Sequence, residues 1–263
     1  MDVILNGNKI NSNSSIVNIT TIVVLTNGEI MNKLITRAED RGKSYFGWLD
    51  SKHTFSFGQY QDFSKMGFGL LRVINDDIVA AGEGFGTHPH ANMEIVSIPL
   101  FGNLAHKDST GREEVIKTGD VQIMSAGSGL THSEYNYSKE EEVHFLQIWV
   151  RPKELNIKPR YEQKSFDLKD RLNTLQVVVA PDNENAVWIN QDAWFSQIHL
   201  QNNTFTYQLY KPSNGVYVFV ISGSVEIDGE TLNKRDGIEI NETESFELSS
   251  KDAEVLFIEI PMK

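Results

Sequence analysis

Cysteine is absent from this 263-residue chain. Disulfides, thiolate nucleophiles and thiolate metal sites are thereby excluded, and a reducing compartment is compatible with that absence. Also missing is any run approaching the ~20 apolar residues that a membrane helix needs. Residues 16–25 come nearest, but Asn18, Thr20 and Thr21 interrupt them. That segment has neither the basic flank nor the small-residue cleavage site of a secretory signal, so a cytoplasmic location is expected. Basic charge is scarce. The net charge is -12, and residues 160–263 hold 9 Lys+Arg against 17 Asp+Glu. Such a surface repels phosphate backbones and anionic lipid, so neither direct nucleic-acid binding nor a membrane contact is expected. Long amphipathic helical periods are lacking as well.

What remains is the pattern of sheet. Short runs such as Phe68–Ile74, Met93–Leu100, Asp120–Met124 and Val143–Val150 alternate with turn signals every ten residues or so, as in an all-β sandwich or barrel. Asn75-Asp76-Asp77, Ser109-Thr110-Gly111 and Ala126-Gly127-Ser128-Gly129 read as turns. Residues 151–166, with Pro152 and Pro159, interrupt the pattern. Strands then resume at Gly215–Ile221, Ser224–Ile227 and Glu254–Ile260, with Asp228-Gly229 as a hairpin turn. The chain divides into an extension at 1–30, a first all-β unit at 31–160 and a second at 161–263. The extension is rich in Asn, Ser and Thr. It reads as disordered, as an added edge strand, or as the product of an upstream start codon.

Histidine placement carries the chemistry. Six of the seven histidines precede residue 150. Two pairs share one spacing: His88-Pro89-His90 after a Gly-rich approach, and His132-Ser133-Glu134 after Gly127-Ser128-Gly129. Residues i and i+2 of a strand point to one face. Two such strands side by side in a barrel converge four donors on one point. Three imidazoles and one carboxylate suit a divalent iron, nickel, cobalt, copper, manganese or zinc ion, and an octahedral ion so held keeps two positions open. An isolated HxH or HxE is weak; the two together, about 40 residues apart, are much stronger.

The stretches GFGTHPHANMEIVS, HKDSTGREEVI, GDVQIMSAGSGLTHSEYN, QIWVRP and GWLDSKHTFSFGQY resemble the pirin family, and its bacterial branch in particular. Gly82 to Glu94 and Gly119 to Asn136 are similar to the two cupin motifs, although His132 falls two residues later than the second motif places it. The resemblance implies a bicupin, two jelly-roll barrels packed together with metal in the first alone. It implies His88, His90, His132 and Glu134 as ligands, with Fe(II) the first expectation and Ni, Co, Mn, Cu or Zn as alternatives. It implies quercetin 2,3-dioxygenase activity, in which O2 opens the central ring of a flavonol and carbon monoxide is released, with Glu134 as general base. The alternatives are a metal-dependent redox regulator that binds a protein partner and a different cupin reaction on another metabolite. A monomer is expected. Glu94, with the parity of His88 and His90, is expected to face the ligands from behind. His53 reads as a packing residue, His106 as a surface or loop residue, and Gln147 as facing either the pocket or the core. Trp188 and Trp194 read as packing residues.

Overall fold

The computed structural model describes residues 22–26 and 29–263, with side chains from Met31 onward; the expectations for residues 1–21 lie outside the described residues. The chain begins with β1 (Ile22–Thr26) and β2 (Glu29–Thr36). The first barrel follows with β3 (Gly42–Tyr45), β4 (Leu49–His53), β5 (Leu71–Val79), β6 (Gly84–His90), β7 (Glu94–Phe101), β8 (Asn103–Asp108) and β9 (Glu113–Lys117). It is completed by β10 (Asp120–Ser125), β11 (Leu130–Asn136), β12 (Val143–Val150) and β13 (Arg160–Ser165). The second contains β14 (Gln176–Ala180), β15 (Val187–Trp188), β16 (Trp194–Gln208), β17 (Asn214–Ile227), β18 (Glu230–Asn233), β19 (Gly237–Asn241) and β20 (Ser245–Pro261). Among the described residues no helix is long and apolar enough to cross a membrane.

A seven-stranded sheet, β13-β10-β7-β12-β5-β4-β3, faces a four-stranded sheet, β6-β11-β8-β9, to make the first barrel. The period-2 alternation of strands sorts their side chains. On β7, Val96 and Ile98 point outward, joining Ile123, Leu146 and Ile148 against Phe195, Tyr217 and Ile258 of the second barrel. Ile95 points inward, packing on Met124 and Leu130. The outer face of the seven-stranded sheet is therefore apolar because the second barrel covers it. Each aliphatic side chain fully buried there contributes roughly 1.5–3 kcal/mol.

The second barrel is one nine-stranded sheet closed by the long, bent strands β16, β17 and β20. Its interior is filled by Ile198, Leu200, Tyr207, Val218, Phe246 and Phe257, among others. The buried carboxylate of Glu259 is satisfied by the backbone N–H groups of Tyr210 and Lys211, the amide of Asn214 and the hydroxyl of Tyr207. Residue 31 onward was expected in the first barrel, but β2 pairs with β19, Ile35 opposite Ile238. Residues 29–36 thus extend the second barrel's sheet, with β1 added at its edge. A strand's alternation is the same in either sheet, so sequence pattern does not reveal a partner 200 residues away.

Candidate metal centre and pocket

β6 and β11 pair antiparallel with His88 opposite His132. Directly opposite residues share a face, so the HxH and HxE pairs look into the barrel together. Between His132 and Glu134 the register shifts by one: Gly86 and Thr87 together face Ser133, a bulge of the kind that re-aims side chains beside functional sites. Gly84 makes the close approach possible. A Cβ there would lie 2.3 Å from the carbonyl oxygen of Glu134.

The three imidazoles converge. Ring centroids of His88, His90 and His132 lie 4.5–4.9 Å apart, and their candidate donor atoms lie within 4.8 Å of one another. His88 Nδ1 donates to the carbonyl of Gly86 at 2.8 Å, which leaves its Nε2 as a lone pair. That Nε2 lies 3.0 Å from His132 Nε2. Two nitrogens each about 2.1 Å from one ion at a right angle adopt a separation of about 3 Å. Burial, and then the neighbouring imidazoles, push His90 down to about 4 and His132 down to about 3. Both rings are therefore neutral at pH 7, the state in which imidazole ligates a metal. The donor set fits a divalent transition ion.

Glu134, 2 % exposed, is held by two neighbours. Gln147 Nε2 donates to its Oε2 at 2.6 Å and Ser97 Oγ to its Oε1 at 3.3 Å. Its carboxylate groups within 4.8 Å of donor atoms of His106 and His132, and not with the full set of three pocket histidines. A cavity of about 310 Å³ opens above the cluster. Its walls are Phe46, Leu49, Phe57, Phe85 and Trp149, with His88, His90 and Glu134 at one end and Ser51, His53, Asn75 and Asp77 on another side. Trp149 packs its ring edge-on to His90, centroids 4.9 Å apart, while its Nε1 donates to Gln147 Oε1 at 3.3 Å. The aromatic walls are those of a site for a flat, largely apolar ligand.

The family model described as Pirin matches residues 35–150, and that described as Quercetinase C-terminal cupin domain matches residues 177–260. Quercetin 2,3-dioxygenase of Escherichia coli K12 is 41% identical over 229 residues, covering 86% of this chain and 98% of the relative. A pirin-like protein of Caulobacter vibrioides is 37% identical, covering 83% of this chain and 95% of the relative. The crystal structure of the Escherichia coli bacterial pirin YhhW in complex with nickel(II) superposes with a TM-score of 0.82 at 40% identity, covering 87% of this chain and 99% of that one. The chain belongs to the pirin family. It is a bicupin, as its sequence implied.

Three placements in this pirin differ from the sequence reading. Glu94 does not back the ligands. Its Oε2 accepts from Ser125 Oγ at 2.7 Å and from the backbone N–H of Asn190 at 3.2 Å, so it faces the second barrel. The turn at Ala91–Met93 begins a strand of a different sheet, and side-chain parity does not carry across it. His106 is not a surface residue: it is 1% exposed on β8, its ring centroid 5.3 Å from that of His132 and 4.9 Å from that of Tyr161. The spacing His106-x-Asp108 on a strand was the signal that would have found it. His53 is buried but also lines the cavity, with its Nδ1 donating to Asn75 Oδ1 at 2.8 Å. Gln147 does face the pocket, on the inner side of β12.

Proposed function

We propose that this pirin is a metal-dependent quercetin 2,3-dioxygenase, in which O2 opens the central ring of a flavonol with release of carbon monoxide. The observation that carries the reading is the convergence of the His88, His90 and His132 imidazoles beside an aromatic-walled cavity that His88 and His90 line. The activity named for the 41%-identical relative supports it. In this reading His88, His90 and His132 hold the ion together with Glu134, and Fe(II) is the physiological metal; the nickel(II) complex of YhhW fits the tolerance of an N3O donor set for several ions. Bound there, the ion supplies Lewis acidity toward the flavonol 3-hydroxyl and an electronic path between substrate and O2.

The protein's own groups do the rest. Phe46, Phe85 and Trp149 flank the flat ring system and exclude water from it. A Glu134 carboxylate oxygen takes the proton of the 3-hydroxyl. Gln147 and Ser97 hold that carboxylate in place before and after the transfer, donating to Oε2 and Oε1. Trp149 Nε1 in turn fixes the orientation of the Gln147 amide.

Oxygen uptake by iron-loaded protein given quercetin tests the reading, with His90→Ala as control. Metal-dependent uptake with matching carbon monoxide release supports it. No uptake, with iron confirmed in the site, overturns it.

A further inference from the structure

His132 is placed between two groups of side chains, and its two ring nitrogens face different ones. Nε2 points to His88. A ring that commits Nε2 to an ion carries its proton on Nδ1, and a buried N–H needs an acceptor. His132 Nδ1 is buried without a hydrogen-bond partner. His106 Nδ1, on the neighbouring strand β8, is buried without one too.

Their roles are complementary. Asp108 Oδ2 lies 3.0 Å from His106 Nε2, with both side chains at most 1% exposed. The other Asp108 oxygen accepts from Thr110 N at 2.8 Å and Thr110 Oγ1 at 2.6 Å. A carboxylate only accepts, so His106 Nε2 is the N–H and His106 Nδ1 is a lone pair. The two rings are tilted by 51°. One ring nitrogen each of His106 and His132 and a Glu134 oxygen lie within 4.8 Å of one another, and the two ring centroids are 5.3 Å apart, a spacing that one bridging water spans.

We propose that His106 is a positioning residue for the metal centre: its Nδ1 lone pair receives the Nδ1–H of His132, and Asp108 fixes the His106 tautomer. The chain Asp108–His106–His132 then orients the ligating imidazole and strengthens it as a donor. This inference rests on the metal reading above.

The test is Co(II) and Ni(II) binding to the full chain, measured by competition titration and by the Co(II) absorption spectrum, with the melting temperature of each metal-free variant alongside. His106→Leu removes the acceptor; His106→Asn restores one through its Oδ1, which is attached to Cγ as Nδ1 is. The expected result is an affinity loss of about 10–100-fold for His106→Leu with a changed Co(II) spectrum, near wild-type affinity for His106→Asn, and similar metal-free melting temperatures for the two. Asp108→Asn falls between them. Wild-type binding by His106→Leu overturns the proposal, and so does an equal loss in both variants. Two ions per wild-type chain, with one lost in His106→Leu, would make His106 a ligand and also overturn it. Failure of the wild-type chain to bind either ion would instead sink the metal reading itself.

Discussion

Gln147 and Glu134 are joined by the shortest contact either makes in the pocket, 2.6 Å from amide nitrogen to carboxylate oxygen. The bond crosses the barrel, from the seven-stranded sheet to the four-stranded one. A buried hydrogen bond to a charged group is worth about 1.5–3 kcal/mol. Gln147→Leu is expected to retain bound metal and to lower kcat about tenfold or more. Steady-state oxygen uptake beside elemental analysis checks this; unchanged kcat would separate Gln147 from the reaction.

Glu134→Gln keeps the shape of the side chain and one oxygen donor but removes the base. Much of the metal should remain while kcat falls by about 10²-fold or more. Normal turnover by this variant would refute the assignment of Glu134 as base.

Asp77 supplies a pH signature. Its pKa is pushed up to about 7 by burial, then by the charges of Asp76, Glu134 and Asp50, against the hydrogen bond from Ser51. A carboxyl whose folded pKa lies above its unfolded value binds more protons when folded. Its stabilising contribution is complete below about pH 4 and is lost as pH rises toward 7. The shift corresponds to a loss on the order of 4 kcal/mol. Asp77→Asn removes that titration while keeping an acceptor for Ser51. Thermal melts of metal-free protein should show the variant gaining on wild type from pH 5 to pH 8. A pH-independent difference would contradict the shift.

Gly84→Ala tests the strand pair that carries the ligands. The added methyl would meet the Glu134 carbonyl at 2.3 Å, so β6 must move from β11. A stability loss of about 1–3 kcal/mol is expected, together with weakened metal binding, measured by melting and by titration. Retained affinity would show that the bulge absorbs the methyl.

The all-β class and the inward aim of His88, His90, His132 and Glu134 were legible because a strand's period of two depends on nothing distant. The bulge between β6 and β11 left that parity intact within each pair. Glu94 was misread because the three-residue turn after His90 leads into another sheet, and no local pattern records which sheet comes next. His106 was overlooked because a single histidine before a turn resembles a loop residue; its neighbour Asp108, two positions on, marks it as inward. The Asp77 environment was out of reach, since its raised pKa comes first from burial in the folded barrel and then from charges that include Glu134, far away in sequence.

The pairing of β2 with β19 has a consequence for how this protein is made. The chain emits β2 first and its neighbour in the sheet some 200 residues later. At about 5–20 residues per second, the ribosome takes roughly 10–40 s to supply the missing strand. Throughout that interval the first barrel can close while β2 hangs from it as an open edge, a ready template for the wrong partner. When β19 arrives, the start of the chain is sewn to its far half. Breaking the connection near residue 155 would then leave the two barrels still tied by backbone hydrogen bonds.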